Sequence, residues 1–159
     1  MTLSNEQLEK LSQPLPSWAV KAHPTKKNMS AIHPMAIIDR LNEVFGVTGW
    51  TFTTEFLACN PAKQQTKNGE RDVFIAYVKG RLEIEDCVIE QYGGNTNDDA
   101  GDTLKGSATD ALTKIASYLG IGAEIYKGHG NVAHGAILSD IEPSEEPNVD
   151  AFTNRFNRG

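Results

Sequence analysis

No run in this sequence approaches the ~20 consecutive apolar residues of a membrane-spanning helix. The first residues, MTLSNEQLEKL, lack the charged-then-apolar pattern of a secretion signal, so a cytoplasmic protein with no membrane partner is expected. Cysteine is scarce. Cys59 and Cys87 stand far apart and outside any Cys-x-x-Cys motif, which predicts free thiols rather than a disulfide. Positive charge is also in deficit, with 15 Lys and Arg against 21 Asp and Glu and a net charge of −6. That balance argues against non-specific attraction to nucleic acid, but it leaves room for a local basic groove. A Gly-x-x-x-x-Gly-Lys-Ser/Thr phosphate loop and a Gly-x-Ser-x-Gly elbow are both missing, which argues against ATP-driven chemistry and serine hydrolysis. His129 and His134 lie five apart in a glycine-rich segment, without the helical spacing of a zinc-protease motif. Asp98, Asp99 and Asp102 lack the full spacing of a calcium loop. No catalytic residue, metal site or cofactor is assigned, and the chain is expected not to be an enzyme.

What is present is one domain's worth of patterned sequence, without internal repeats. Its centre is Asp102–Gly122, DTLKGSATDALTKIASYLGIG. Leu104, Ala108, Ala111, Leu112, Ile115 and Leu119 recur at helical spacing and predict an apolar stripe. Asp102 is the expected N-cap and Gly120 the expected C′ residue, with Ile121 packing back. The opposite face carries Lys105, Thr109, Thr113, Lys114 and Ser117.

Upstream, Ser4 and Gln7 form a capping-box pattern that opens a short helix to Leu11. Residues 13–30 hold three prolines and no sustained period, predicting an extended arm anchored by Trp18 and Val20. Lys21, Lys26 and Lys27 make this the most basic segment. His33-Pro34 opens a second helix, with Met35, Ile38, Leu41, Val44 and Phe45 as its stripe and Gly46 as its end. Trp50–Leu57 alternates as a half-buried strand. Asn60–Arg71 reads as a long polar hairpin loop, and Asp72–Glu85 as a long strand with Ala76, Val78, Gly80, Leu82 and Ile84 on its apolar face. Cys87–Tyr92 is a third strand, and Gly93–Gly101 a flexible loop. Ser139–Gly159 carries five acids against Arg155 and Arg158 and is expected to be disordered. The division is therefore a domain over 1–138 and an acidic tail over 139–159. The fold class is α+β: a three-stranded antiparallel β-meander packed against a long helix, with an N-terminal helix and an extended arm.

The outward face of the second strand pairs Tyr77 with Lys79 and Arg81. Single-strand binders use that combination, since cations follow phosphates and aromatic rings stack on bases. Plain solvent exposure is the alternative for such a face.

Two blocks in this order sharpen the choice. FGVTGW (Phe45–Trp50) follows LNEV directly. After three strands come YGG (Tyr92–Gly94) and KGSATDALTKIASYLGIG (Lys105–Gly122). Together they resemble the Rad-fifty-two superfamily of single-strand annealing proteins. The proline-containing arm and the GIG-x-x-x-Tyr ending look closer to its DdrA (DNA damage response protein A) branch. The similarity covers roughly Leu8 to Tyr126. It implies a β-β-β-α core assembled into a homo-oligomeric ring around which single-stranded DNA runs, in a nucleoid-associated protein of DNA repair or recombination. It also implies ATP-independent strand annealing or 3′-end protection. Lys105 and Lys114 match basic positions of the family pattern. Ala36, Thr113, Ser117 and Val47 stand where that pattern carries basic or aromatic residues, and Arg40 lies one turn after Ala36. The expected DNA-backbone contacts are Lys105, Lys114, Arg40, Lys79 and Arg81, with Tyr77 as a stacking ring and Lys21, Lys26 and Lys27 reaching the second strand.

Two other readings remain open on sequence. One is a ring-forming scaffold or assembly protein of the same fold that has lost DNA affinity, which the acidic balance favours. The other is a double-stranded RNA-binding module, which shares the α-β-β-β-α order but calls for a lysine-rich start to its last helix. In the tail, Phe152 and Phe156 at i, i+4 suit a short helix docking into a protein partner's groove.

Overall fold

The computed structural model describes residues 3–22 and 30–126. Lys26, Lys27, His129, His134 and the acidic tail lie outside the described residues.

The chain opens with α1 (Asn5–Ser12). Ser4 and Gln7 close the capping box reciprocally, the Ser4 hydroxyl accepting from Gln7 N at 3.1 Å and the Gln7 side chain from Ser4 N at 2.9 Å. A short hairpin follows, in which β1 (Val20–Ala22) pairs antiparallel with β2 (Ser30–Ile32). Val20 anchors it as expected, but Trp18 does not: it is half exposed, edge-on to His33 at 5.8 Å. The buried anchors of this segment are Leu15 and Ala19. Next comes α2 (Pro34–Phe45), where His33 Nδ1 accepts from Met35 N and Gly46 terminates the helix at φ 78°. The FGVTGW block thereby gains a physical meaning. Gly46 supplies a positive φ, and a Cβ on Gly49 would lie 1.9 Å from the Phe45 carbonyl oxygen. The Trp50 indole ties the turn back to α2 by donating to Asn42 Oδ1 at 2.9 Å.

Three strands then form one antiparallel sheet in the order β3 (Thr51–Thr66), β4 (Gly69–Ile84), β5 (Cys87–Asn97). The sheet is longer than the sequence predicted. Residues 60–66 and 69–71 are not a loop; they continue the β3–β4 ladder to Thr66↔Gly69, past a bulge between Phe56 and Ala58. The polar composition misled because both faces of this projecting ribbon meet solvent, so no alternation is required of it. Cross-strand pairs of Lys63 with Asp72 and of Arg71 Nε with Gln64 hold it, and Pro61 is tolerated on an edge strand. Likewise Gly93–Asn97 is not a loop but the end of β5, paired as far as Phe74↔Asn97.

The sheet is covered on one face by α3 (Ala100–Tyr118). Its cap is Asp99, not Asp102: the Asp99 carboxylate accepts from Asp102 N at 2.9 Å. The other end forms a Schellman turn, with Gly120 N donating to Ser117 O at 3.1 Å and Ile121 N to Ala116 O at 3.0 Å. Gly120 takes φ 91° and Ile121 is fully buried, as the pattern predicted. A last short turn, α4 (Ala123–Tyr126), follows.

Helix–sheet contact is made through small residues. Thr103, Ser107 and Ala111 are fully buried, whereas Leu104 and Ala108, expected in the stripe, are only partly covered. A Cβ on Gly93 would fall 2.0 Å from Ser107 O and 2.5 Å from Ala111 N, so the helix lies directly on the β5 backbone. Ser107 Oγ donates to Ala76 O at 3.0 Å, satisfying its buried hydroxyl. The C-terminal half of α3 meets the main core of Leu11, Ile37, Leu41, Leu82, Ile84 and Ile115. Full burial of each such side chain stabilises by about 1.5–3 kcal/mol. By contrast β3 contains no buried residue, and its Phe56 is 63% exposed, because α3 lies mainly over β4 and β5 and β3 meets the core chiefly through the half-buried Phe52.

Candidate nucleic-acid interface

The face of the sheet turned away from α3 is the one that gathers chemistry. Register sets its rows. Glu55, Lys79 and Tyr92 lie side by side across the three strands. Thr53, Arg81 and Glu90 form the next row, and Ala58, Tyr77 and Gly94 lie on the other side. Tyr77 and Tyr92 are therefore diagonal neighbours, 51% and 58% exposed. The Tyr77 ring lies over Gly94, whose added Cβ would sit 3.2 Å from it. Rigid strands thus hold two aromatic rings and two cations on an open surface, with a small depression lined by Thr53, Thr54, Glu55, Lys79, Arg81 and Glu90.

The cations on this face are not free. Lys79 Nζ lies 2.9 Å from Glu90, and Arg81 bonds both Glu83 and Glu90, the latter at 3.0 Å. Hydrogen bonding to Lys79, then to Arg81, holds the Glu90 carboxyl below the usual carboxylate range. Glu90 correspondingly raises Lys79, while Glu83 and then Glu90 raise Arg81. Sequence reasoning found Tyr77, Lys79 and Arg81 but missed Tyr92 and Glu90. Alternation within the third strand places both on one face, but only the register reveals what they oppose.

The other proposed contacts scatter. Lys105 is exposed on α3 and has no ion-pair partner among the described residues. Lys114 turns to the β5 edge, where its Nζ donates to Asp110 Oδ2 at 2.8 Å and reaches the Tyr92 carbonyl at 3.5 Å. Asp110 also accepts from Gly94 N at 3.0 Å. Nine positions apart, Lys105 and Lys114 project from opposite sides of the helix. Lys21 is exposed on β1. Arg40 needs correction as a DNA contact. It is 7% exposed, and its guanidinium donates to the carbonyls of Lys10, Leu11, Gln13 and Pro14 at 2.7–3.2 Å. It caps the C-terminus of α1, where a cation suits the helix dipole, and faces no open surface.

Among the described residues no group of three or more His, Cys, Asp or Glu is arranged to hold a metal ion, and no helix is long and apolar enough to cross a membrane.

An α+β domain with one helix-covered sheet face and one open face bearing rings and cations defines the class. The sequence model of the Rad52/22 family double-strand break repair protein matches residues 4–135, and the chain belongs to that family. Membership places it among proteins of DNA repair and recombination. No curated protein gives a significant match.

Proposed function

We propose that the protein binds single-stranded DNA and pairs complementary strands without nucleotide hydrolysis, as a homo-oligomer in the manner of the annealing branch it resembles. Family membership together with the exposed Tyr77–Tyr92 pair beside Lys79 and Arg81 is the observation that carries this reading. Two rings on a rigid sheet suit bases of any sequence, and binding by stacking leaves no covalent change in the strand. Lys105 and Lys114 diverge on one chain, so a continuous phosphate track uses cations from neighbouring copies. The largely exposed β3 is the surface through which such copies would meet.

The direct test is annealing of two complementary fluorescent oligonucleotides at low salt, without ATP or divalent metal, with the mass of the assembly measured in parallel. Faster annealing than the uncatalysed rate is the expected result. Absence of both binding and acceleration refutes the reading. A specific observation favours a second reading, that of an assembly protein with little DNA affinity: Lys79, Arg81 and Lys114 all rest on carboxylates. An oligomer that forms but ignores oligonucleotides supports it.

A further inference from the structure

The open sheet face carries a contradiction. Its rings and cations suit a nucleic-acid strand, yet three carboxylates, Glu55, Glu83 and Glu90, share the face with two cations. Of these, Glu90 is placed differently from the others. It stands opposite Arg81 across the β4–β5 ladder and spreads its two oxygens over both cations, Oε2 on Lys79 at 2.9 Å and Oε1 on Arg81 at 3.0 Å. Glu83 reaches Arg81 alone, and Glu55 forms no ion pair with Lys79. Glu90 accepts one bond from each cation, taking a donor on each that a phosphate oxygen would use.

We propose that Glu90 is an internal phosphate mimic, a carboxylate that occupies Lys79 and Arg81 in the free protein and must be displaced when a single strand engages the face. This rests on the single-strand-binding reading above. The side chains are 31–43% exposed, so the exchange requires only rotamer changes in solvent, with no movement of the sheet. The consequence is a threshold. A strand gains little from Lys79 and Arg81 until it supplies enough phosphates, on a face where rings are already waiting, to replace the carboxylate. Such a device weakens contact with isolated anions and short strands more than with long ones, because only a long strand adds stacking on Tyr77 and Tyr92 to the ion exchange.

The test uses the full chain and fluorescent oligothymidylates of graded length. Glu90→Gln keeps the side chain's size and removes its charge, and Glu9→Gln, on exposed helix α1, makes the same change of net charge elsewhere. One additional phosphate neutralised per site steepens the log–log salt dependence by about 0.7 and tightens binding at ~50 mM salt by about five- to tenfold. Glu90→Gln is expected to show both changes, most strongly for short strands, and Glu9→Gln neither. In the Lys79→Ala/Arg81→Ala background the gain from Glu90→Gln is expected to vanish. If wild type binds but Glu90→Gln matches Glu9→Gln, the mimic is refuted and the binding reading stands. The mimic is also refuted if the gain survives removal of both cations. If neither wild type nor Glu90→Gln binds, both proposals fall, whereas binding by Glu90→Gln alone is the mimic in its strongest form.

Discussion

Gly93 offers the sharpest test of how this domain is built. A Cβ there would lie 2.0 Å from Ser107 O, 2.5 Å from Ala111 N and 2.8 Å from Ala111 Cβ. Two of those neighbours are helix backbone, which no rotamer change relieves. Ordinary contact begins near 3.4 Å, so in Gly93→Ala the helix must withdraw by about 1 Å or more from a close-packed sheet. Overpacking of this kind costs ~1–3 kcal/mol. Withdrawal also stretches the buried bond from Ser107 to Ala76 O, which contributes about 1 kcal/mol, and the bond from Gly94 N to Asp110. The total is about 3–5 kcal/mol, a large part of the ~5–15 kcal/mol that holds a domain folded. The expected drop in melting temperature is roughly 10–20 °C. Gly106→Ala provides the contrast on the same helix. Its Cβ would also meet an atom at 2.0 Å, but that atom is Nδ2 of the Asn95 side chain. Asn95 swings away, and the helix gains ~1 kcal/mol of propensity, so the net change should stay within ~1 kcal/mol of zero. Thermal melts followed by circular dichroism compare the two. A Gly93→Ala protein within ~1 kcal/mol of wild type would show that α3 does not rest on the β5 backbone.

Other outcomes follow from single contacts. Arg40→Ala strands the α1 carbonyls it now serves and should destabilise by ~3 kcal/mol in a denaturant titration, while leaving oligonucleotide affinity of the folded protein unchanged. Ser4→Ala removes half the capping box and should cost ~1 kcal/mol by the same titration. Tyr77→Ala and Tyr92→Ala, both at exposed positions, should leave the melting temperature nearly unchanged and weaken single-strand binding by ~1–3 kcal/mol for each stacked base lost, read by fluorescence anisotropy. Glu90 is held below the usual carboxylate range, first by Lys79 and then by Arg81, so its stabilising effect is present above the usual carboxylate pKa and is lost as pH falls through its lowered folded value. Melts of wild type and Glu90→Gln should therefore differ most near neutrality and converge in acid. A gap that widens below the carboxylate range would contradict that sign.

The local signals were legible in the sequence because each is a short-range interaction. Ser4 with Gln7, His33-Pro34 and Gly46, and Gly120 with Ile121 all act within a turn or two of chain, and each sits where its pattern placed it. The alternation of Ala76, Val78, Gly80, Leu82 and Ile84 declared the covered face of β4 because one face of that strand is buried and the other wet. The order of elements, and the two blocks that carry the family resemblance, were equally open to reading.

Tertiary structure alone decided the rest. Polar residues 60–66 and 69–71 became strand because a ladder of backbone bonds asks nothing of side chains when both faces are solvated. Gly93 stands where the helix comes close, a demand made by residues more than a dozen positions away, and Gly94 stands where the Tyr77 ring lies across the opposite face. Arg40 looked like a surface cation, yet the packing of α1 turned it inward as a cap. Sequence likewise showed Lys79 and Arg81 as cations, and only the strand register set Glu90 between them. Spacing along the chain determines which groups one element presents, but pairing across elements determines which of those groups are still free to act.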